Sequence, residues 1–320
     1  KSKVFLLYIE RRFIVNITER GLKTHNIELD SLKERPPFPE RIKIEITNRC
    51  NLKCFYCQHT HSKYKKQDIS KEFLFRILKE LKELKVKDVG LFWLGESLLV
   101  NELSEYISFA RKIGIEYVFI TTNGILATPE RINKIIDSGI DSIKFSINVG
   151  SREKYLKSSG VDAFDQLISN LKHTWKYRGS RKTLSIYASS IVDPTNTKEY
   201  DDIHSLIAPY VDHHYPIVPY GKLKIVSKNG EYRIIDAPKE ERRTLQEMLP
   251  CWPLFTEPHI SSDGHMSVCF CDLDERLYVG DLNKMSLMQA WHSEKFAALR
   301  KQHLLKDVVG TVCESCIAYR

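Results

Sequence analysis

Hydrophobic and polar positions alternate with two distinct periods along the first two thirds of the chain. Arg41–Thr47 (RIKIEIT) alternates with period two and predicts a strand. Ser70–Leu84 repeats Leu74, Ile77, Leu78, Leu81 and Leu84 on one helical face, with Ser70 placed to cap it. Val89–Trp93 predicts a short apolar strand, Asn101–Ile113 a helix, Tyr117–Thr121 a strand, Pro129–Ile136 a helix and Ile143–Ile147 a strand. Phe164–Tyr177 reads as helix and Leu184–Ile191 as strand. This alternation predicts a parallel sheet with helices outside it, which a closed barrel, a partly open barrel or a doubly wound sheet would equally satisfy. In all three the chemistry belongs at the C-terminal ends of the strands.

The flanks differ. Residues 1–40 read as a β-rich leader that ends at Pro36, Pro37 and Pro39. Beyond about residue 195 the pattern gives way to VDHHYPIVPYG. There His213, His214 and Tyr215 read as partly buried loop side chains, with a substrate-pocket lining as the alternative. IVSKNGEYRIID then predicts a hairpin turning at Asn229-Gly230. The expected division is a leader over 1–40, a core over 41–240 and a small C-terminal module over 241–320.

Composition narrows the class. The chain is 42% hydrophobic and 28% charged over 320 residues, ordinary for a globular protein. No stretch approaches the length of apolar sequence a membrane span needs, and the N-terminus is a poor signal peptide. The net charge of +8 is spread among 41 acids. Its densest clusters (Lys63, Lys65 and Lys66; Lys176, Arg178, Arg181 and Lys182) read as solvated faces rather than a nucleic-acid surface. Neither a membrane nor a nucleic-acid partner is expected. The 8 cysteines fall in two groups, 50–57 and 251–316, with none between. That grouping argues for metal rather than disulfides and predicts a cytoplasmic location, where open thiolate clusters survive.

Cys50, Cys54 and Cys57 supply three soft thiolates in one loop directly after the first strand. Three ligands suit a [4Fe–4S] cluster with one iron left open. Structural zinc completed by His59 or His61 is the alternative. The CxxxCxxC string, Tyr56 before its third cysteine, Leu94-Gly95-Glu96-Ser97 and Thr121-Thr122-Asn123-Gly124 together resemble the radical S-adenosylmethionine (SAM) superfamily over roughly residues 41–195. The resemblance implies a partial (β/α)6 TIM-like barrel. It implies that Tyr56 packs near the adenine and that Gly95 and Glu96, in place of a Gly-Gly-Glu-Pro motif, help hold the SAM amino group. Thr122, Asn123, Ser146 and Asn148 are the further SAM contacts it suggests. In that family the open iron chelates SAM, whose reductive cleavage gives a 5′-deoxyadenosyl radical that takes hydrogen from a C–H bond.

Cys251, Cys269, Cys313 and Cys316 form a second set, two bracketing a turn at Ser262-Asp263-Gly264 and two in a CxxC loop. Zinc fits on ligand type alone. The spacing resembles the SPASM and twitch extensions of radical SAM enzymes, which implies a small α+β domain holding an auxiliary [4Fe–4S] cluster. With only four residues after Cys316, the twitch type with one cluster is the better match. Cys271 is left over: a small buried residue, or a catalytic hydrogen donor as in radical SAM epimerases.

The resemblance implies an oxidoreductase acting on a small polar substrate such as a sugar or aminocyclitol, with the auxiliary cluster accepting an electron. The cysteine spacing is like that of a twitch-type aminocyclitol dehydrogenase. A short leader tilts the reading away from peptide modification. An epimerase using Cys271, a peptide-modifying enzyme and a non-enzymatic iron–sulfur or zinc scaffold are the alternatives. An external one-electron donor such as flavodoxin or ferredoxin is implied.

Overall fold

The computed structural model describes residues 32–61, 65–181, 183–191, 197–217, 223–228, 231–236, 249–269 and 277–315. Six parallel strands run in chain order: β1 (Arg41–Ile44), β2 (Asp88–Gly90), β3 (Tyr117–Thr122), β4 (Ser142–Ser146), β5 (Ser185–Ile191) and β6 (His213–Ile217). Between them lie α1 (Lys71–Glu83), α2 (Leu103–Lys112), α3 (Pro129–Asp137), α4 (Arg152–Ser159), α5 (Phe164–Arg178) and α6 (Lys198–Ile207). The period-two pattern acts through burial. Ile42, Ile44 and Ile46 are fully buried under the helices, while Arg41, Lys43 and Glu45 project to the other face. Helix α1 forms as the sequence predicts: Leu74, Ile77, Leu78 and Leu81 are buried, and the Ser70 hydroxyl accepts from the Phe73 amide.

The sheet curls into a partial barrel. Tyr215 of β6 lies close enough to Arg41 and Lys43 of β1, five strands away in the sheet order, for their charges to act on its phenol. The C-terminal module then extends the same sheet. β9 (His259–Ile260) pairs parallel with β1, and β10 (His265–Ser267) and β11 (Tyr278–Asp281) continue it antiparallel. Helices α7 (Pro253–Thr256), α8 (Leu287–Trp291) and α9 (Glu294–Leu304) complete that module. Pro36 and Pro37 accept from the Trp291 indole, and Phe38 packs on its ring at 5.5 Å, so the segment before β1 docks on α8.

Five elements differ from the sequence expectation. Strands β1 and β2 are shorter than Arg41–Thr47 and Val89–Trp93. Helix α4 forms where no apolar period marks it, and α6 forms on a short one, Tyr200, Ile203 and Ile207, that the expectation did not include. Residues 213–217 form strand β6 rather than a loop: the His214 ring is buried between the Ser190 hydroxyl at 2.7 Å and His204 at 3.2 Å, which holds this polar segment in the sheet. The hairpin is present as β7 (Leu223–Lys228) paired with β8 (Glu231–Asp236), and Lys228 faces Glu231 across a two-residue connection. The turn residues Asn229-Gly230 lie outside the described residues, as does most of the 1–40 leader.

Candidate active site

The first cysteine loop leaves the C-terminal end of β1. It is wound by turns in which the Cys57 amide donates to Cys54 O at 3.0 Å and the Thr60 amide to Cys57 O at 3.0 Å. The Thr60 hydroxyl also donates to Cys54 O at 3.1 Å, and the Phe55 amide ties the loop to Ser158 O at the end of α4. Burial pushes the Cys50 thiol up to about 11, and Glu96, Cys57 and Cys54 nearby push it the same way. The Cys54 and Cys57 thiols are raised as well, chiefly by burial. Three partly buried thiols with raised proton affinity form a soft-ligand set suited to iron, whose charge reverses that effect. The His59 ring does not serve the loop as a fourth ligand: its Nε2 lies 2.5 Å from Asn48 O and 2.6 Å from the Lys66 ammonium. The His61 side chain is outside the described residues.

The ends of the next strands close on this loop. Gly95 approaches so tightly that a Cβ there would stand 2.2 Å from Thr47 O and 2.7 Å from Arg49 O, and the Glu96 amide donates to Arg49 O at 2.8 Å. Only glycine lets this segment seat directly before Cys50. Glu96 is buried, and both its oxygens are engaged. Oε1 accepts from the Thr122 hydroxyl at 2.7 Å and the Leu98 amide at 3.0 Å, and Oε2 from the Asn123 amide at 2.7 Å. Burial raises its proton affinity against those hydrogen bonds. Glu96 therefore clamps the end of β2 to the end of β3. Asn123 donates onward to Asn51 Oδ1 at 2.8 Å, reaching the residue after Cys50. Gly124 has a φ of +79° and would meet Leu167 with any side chain, which accounts for the glycine that ends this motif.

Beyond β4, Asn148 Nδ2 donates to the Tyr56 hydroxyl at 2.7 Å, and its Oδ1 accepts from the Ile191 amide at 2.9 Å. Ser146 closes β4 in register with Ser189 of β5. The structure thus brings Cys50, Cys54, Cys57, Tyr56, Gly95, Glu96, Thr122, Asn123 and Asn148 together at the C-terminal ends of the strands. Asn51 and Asn48 belong with them, although no sequence motif marks either.

In the second group Cys251 precedes α7, Cys269 follows β10 and Cys313 lies in the Val312–Ser315 turn. All three are partly buried against the hydrophobic core. The Cys251 amide donates to His303 Nδ1 at 3.3 Å, and the Gly264 amide to Ser261 O at 2.9 Å closes the expected turn between β9 and β10. Cys316 and Cys271 lie outside the described residues. Among the described residues no three His, Cys, Asp or Glu side chains converge on a single metal ion, and no helix is long and apolar enough to cross a membrane.

Residues 44–200 match the family model of the radical SAM superfamily, and residues 251–317 match that of the SPASM iron–sulfur cluster-binding domain. The chain belongs to the radical SAM superfamily and carries a C-terminal SPASM-type auxiliary-cluster domain. The first match implies SAM and a [4Fe–4S] cluster as cofactors, and the second implies an auxiliary iron–sulfur cluster. It is 32% identical over 133 residues to a probable GTP 3′,8-cyclase of Saccharolobus solfataricus, covering 42% of each chain. The chain thus spans about two fifths of the length of that curated relative. Streptococcus suis SuiB bound to S-adenosylmethionine superposes with a TM-score of 0.66 at 15% identity, over 91% of this chain and 75% of that one. BtrN in complex with AdoMet and 2-DOIA superposes with a TM-score of 0.52 at 16% identity, over 84% and 88%. These structures share the partial-barrel fold.

Proposed function

We propose that the enzyme abstracts hydrogen from a C–H bond of a small polar substrate, a sugar or cyclitol, and oxidises an alcohol there. Cys50, Cys54 and Cys57 would hold the SAM-binding cluster and Cys251, Cys269, Cys313 and Cys316 an auxiliary one; with SAM bound, these would supply the hydrogen-abstracting chemistry and a one-electron acceptor. The protein's share is positioning. Tyr56 and Asn148 form one wall for the adenosyl group, and Gly95 and Glu96 fix the backbone that faces the SAM amino group. Thr122, Asn123 and Ser146 line the strand ends beside it. At the carbinol centre one hydrogen atom, one proton and one electron must leave, so the two cysteine groups have to be rigidly related.

The observation that carries the reading is the Glu45–Ser262 link. Glu45, on the strand that leads to Cys50, accepts from the Ser262 amide at 3.0 Å and hydroxyl at 2.8 Å, on the turn that leads to Cys269. Parallel pairing of β1 with β9 holds the same junction.

The test is anaerobic turnover of the reconstituted protein with polyol substrates, following 5′-deoxyadenosine and ketone together. The reading expects both from wild type. It expects 5′-deoxyadenosine without ketone from Cys251→Ala, whose iron content falls by about four per chain. Full ketone yield from Cys251→Ala would remove the auxiliary cluster from the reaction. A stereoinverted alcohol lost in Cys271→Ala would shift the assignment to an epimerase with Cys271 as hydrogen donor.

A further inference from the structure

The concave face of the barrel carries an unusual charge pattern. Arg41 and Lys43 of β1 and Lys144 of β4 project from it, and two carboxylates face them. Glu257 Oε1 lies 2.8 Å from Lys43 Nζ and 4.0 Å from Arg41 Nε, and Asp88 stands in register with Arg41 on β2. Lys144 makes no close ion pair among the described residues, although Glu257 attracts it and Arg41 repels it through space. Its ammonium sits 5.9 Å from the Phe92 ring centre and 5.9 Å from that of Tyr215, and Lys43 Nζ lies 5.8 Å from the same Phe92 ring. Two ammonium groups from strands three apart in the sheet therefore converge on one aromatic ring in the barrel interior.

The wall beside them holds polar atoms that make no hydrogen bond among the described residues. Arg41 Nε, Trp93 Nε1 and both ring nitrogens of His259 are buried and make no hydrogen bond. Trp93 and His259 stack at 5.0 Å, so these atoms belong to one patch. Burial beside Lys43 pushes the His259 imidazole down to about 3, so it is uncharged and can accept or donate. Buried donors are normally satisfied, and a concentration of unsatisfied ones along the wall that carries Lys43 and Arg41, with one carboxylate, Glu257, shared by these two cations and Lys144, marks a place built for something else.

We propose that Lys144, with Lys43 and Arg41 beside it, receives an anionic group of the substrate, a phosphate or a carboxylate, inside the barrel. This rests on the reading of the protein as an enzyme acting on a small polar molecule, and it narrows that class. A sugar phosphate or a sugar acid fits, whereas a free aminocyclitol would bring a second ammonium against Lys144. Phe92 and Tyr215 form the apolar sides of the same site.

The test uses the reconstituted, SAM-loaded protein titrated at constant ionic strength with inorganic phosphate and, separately, with acetate. The thermal midpoint and calorimetric heat report binding. Saturable stabilisation by one anion is expected, with phosphate or acetate identifying which group the substrate carries. Lys144→Met should weaken it at least tenfold and Lys144→Arg should retain it. Glu257 keeps its ion pair with Lys43 when Lys144 is removed, so no carboxylate is stranded, and Lys144→Gln serves as a second neutral variant. An unsaturable effect of equal size in wild type and both neutral variants, or no effect, overturns the site. Because binding is read without turnover, the two proposals fail separately. Phosphate binding with no oxidation of a phosphorylated polyol sinks the dehydrogenase reading alone. Oxidation of a neutral polyol by a protein indifferent to both anions sinks the anion site alone.

Discussion

Tyr56 and Asn148, 92 positions apart in the chain, share a 2.7 Å hydrogen bond that spans from the cysteine loop to the end of β4. Asn148 also holds the Ile191 amide, so the bond fixes the loop against two strands at once. Tyr56→Phe keeps the ring and removes the hydroxyl's hydrogen bonds to Asn148 and to the Cys54 thiol. Asn148→Ala removes the bonds to Tyr56 and to Ile191. At about 1 kcal/mol for each bond, either variant should weaken SAM binding by up to about thirtyfold. Equilibrium dialysis of SAM with reconstituted variants measures both; wild-type affinity in either would show that its bonds do nothing for the site.

Glu96→Gln tests the clamp between β2 and β3. All three groups bonded to this carboxylate are donors, so an amide nitrogen must face one of them. The expected loss is roughly 1–3 kcal/mol in denaturant unfolding, together with slower SAM cleavage. Glu96→Asp, too short to reach Asn123, should keep more stability than cleavage.

Gly95→Ala should be more damaging than any side-chain loss nearby. The added methyl collides with backbone oxygens of Thr47 and Arg49, which cannot rotate away. About 2 kcal/mol or more of destabilisation is expected, with iron retention falling because the displaced segment abuts Cys50. Iron quantification beside thermal unfolding separates the two effects.

Glu45 gives a pH signature. Burial, opposed by its Ser262 hydrogen bonds, pushes its carboxyl from 4.5 up to about 7. Between those values the native state keeps a proton that the unfolded chain has lost, so this group's contribution falls as pH rises from about 4.5 to about 7. Glu45→Gln keeps an acceptor for Ser262 and has no such slope. Relative to wild type it should gain about 2–3 kcal/mol between pH 4.5 and pH 8, measured by urea unfolding. A constant difference across that range would show that the carboxyl titrates normally.

The sequence carried the parts of this protein that are written locally. Helix α1 was legible because its apolar period and its Ser70 cap are consecutive in the chain, and the cysteine loop because three ligands lie within eight positions. Helix α4 was not: besides Tyr155 it buries Ser158 and Ser159, whose hydroxyls turn back to Tyr155 O. No hydrophobic count registers such a helix. Strand β6 was hidden in the same way, since the buried His214 ring finds its polar contacts in Ser190 and His204 from two other elements. The role of Glu96 was half legible: its motif marked it, but the residues it holds lie on another strand. Lys144 had no local mark, because its meaning depends on Phe92, Tyr215 and Lys43, which only the curled sheet assembles.

The pairing of β9 with β1 bears on how such enzymes can be recombined. Through it the Lys43 and Glu45 amides donate to Pro258 O and Ile260 O, so the barrel's first strand has no bare edge. Severing the chain between residues 236 and 249 would strip that cover, strand two backbone donors and expose a sticky border beside the cysteine loop. Exchanging this cluster-bearing tail for one from another enzyme therefore means matching a seam of strand register and the Glu45–Ser262 clasp, and a graft chosen by its cysteine spacing alone would leave the barrel prone to self-association.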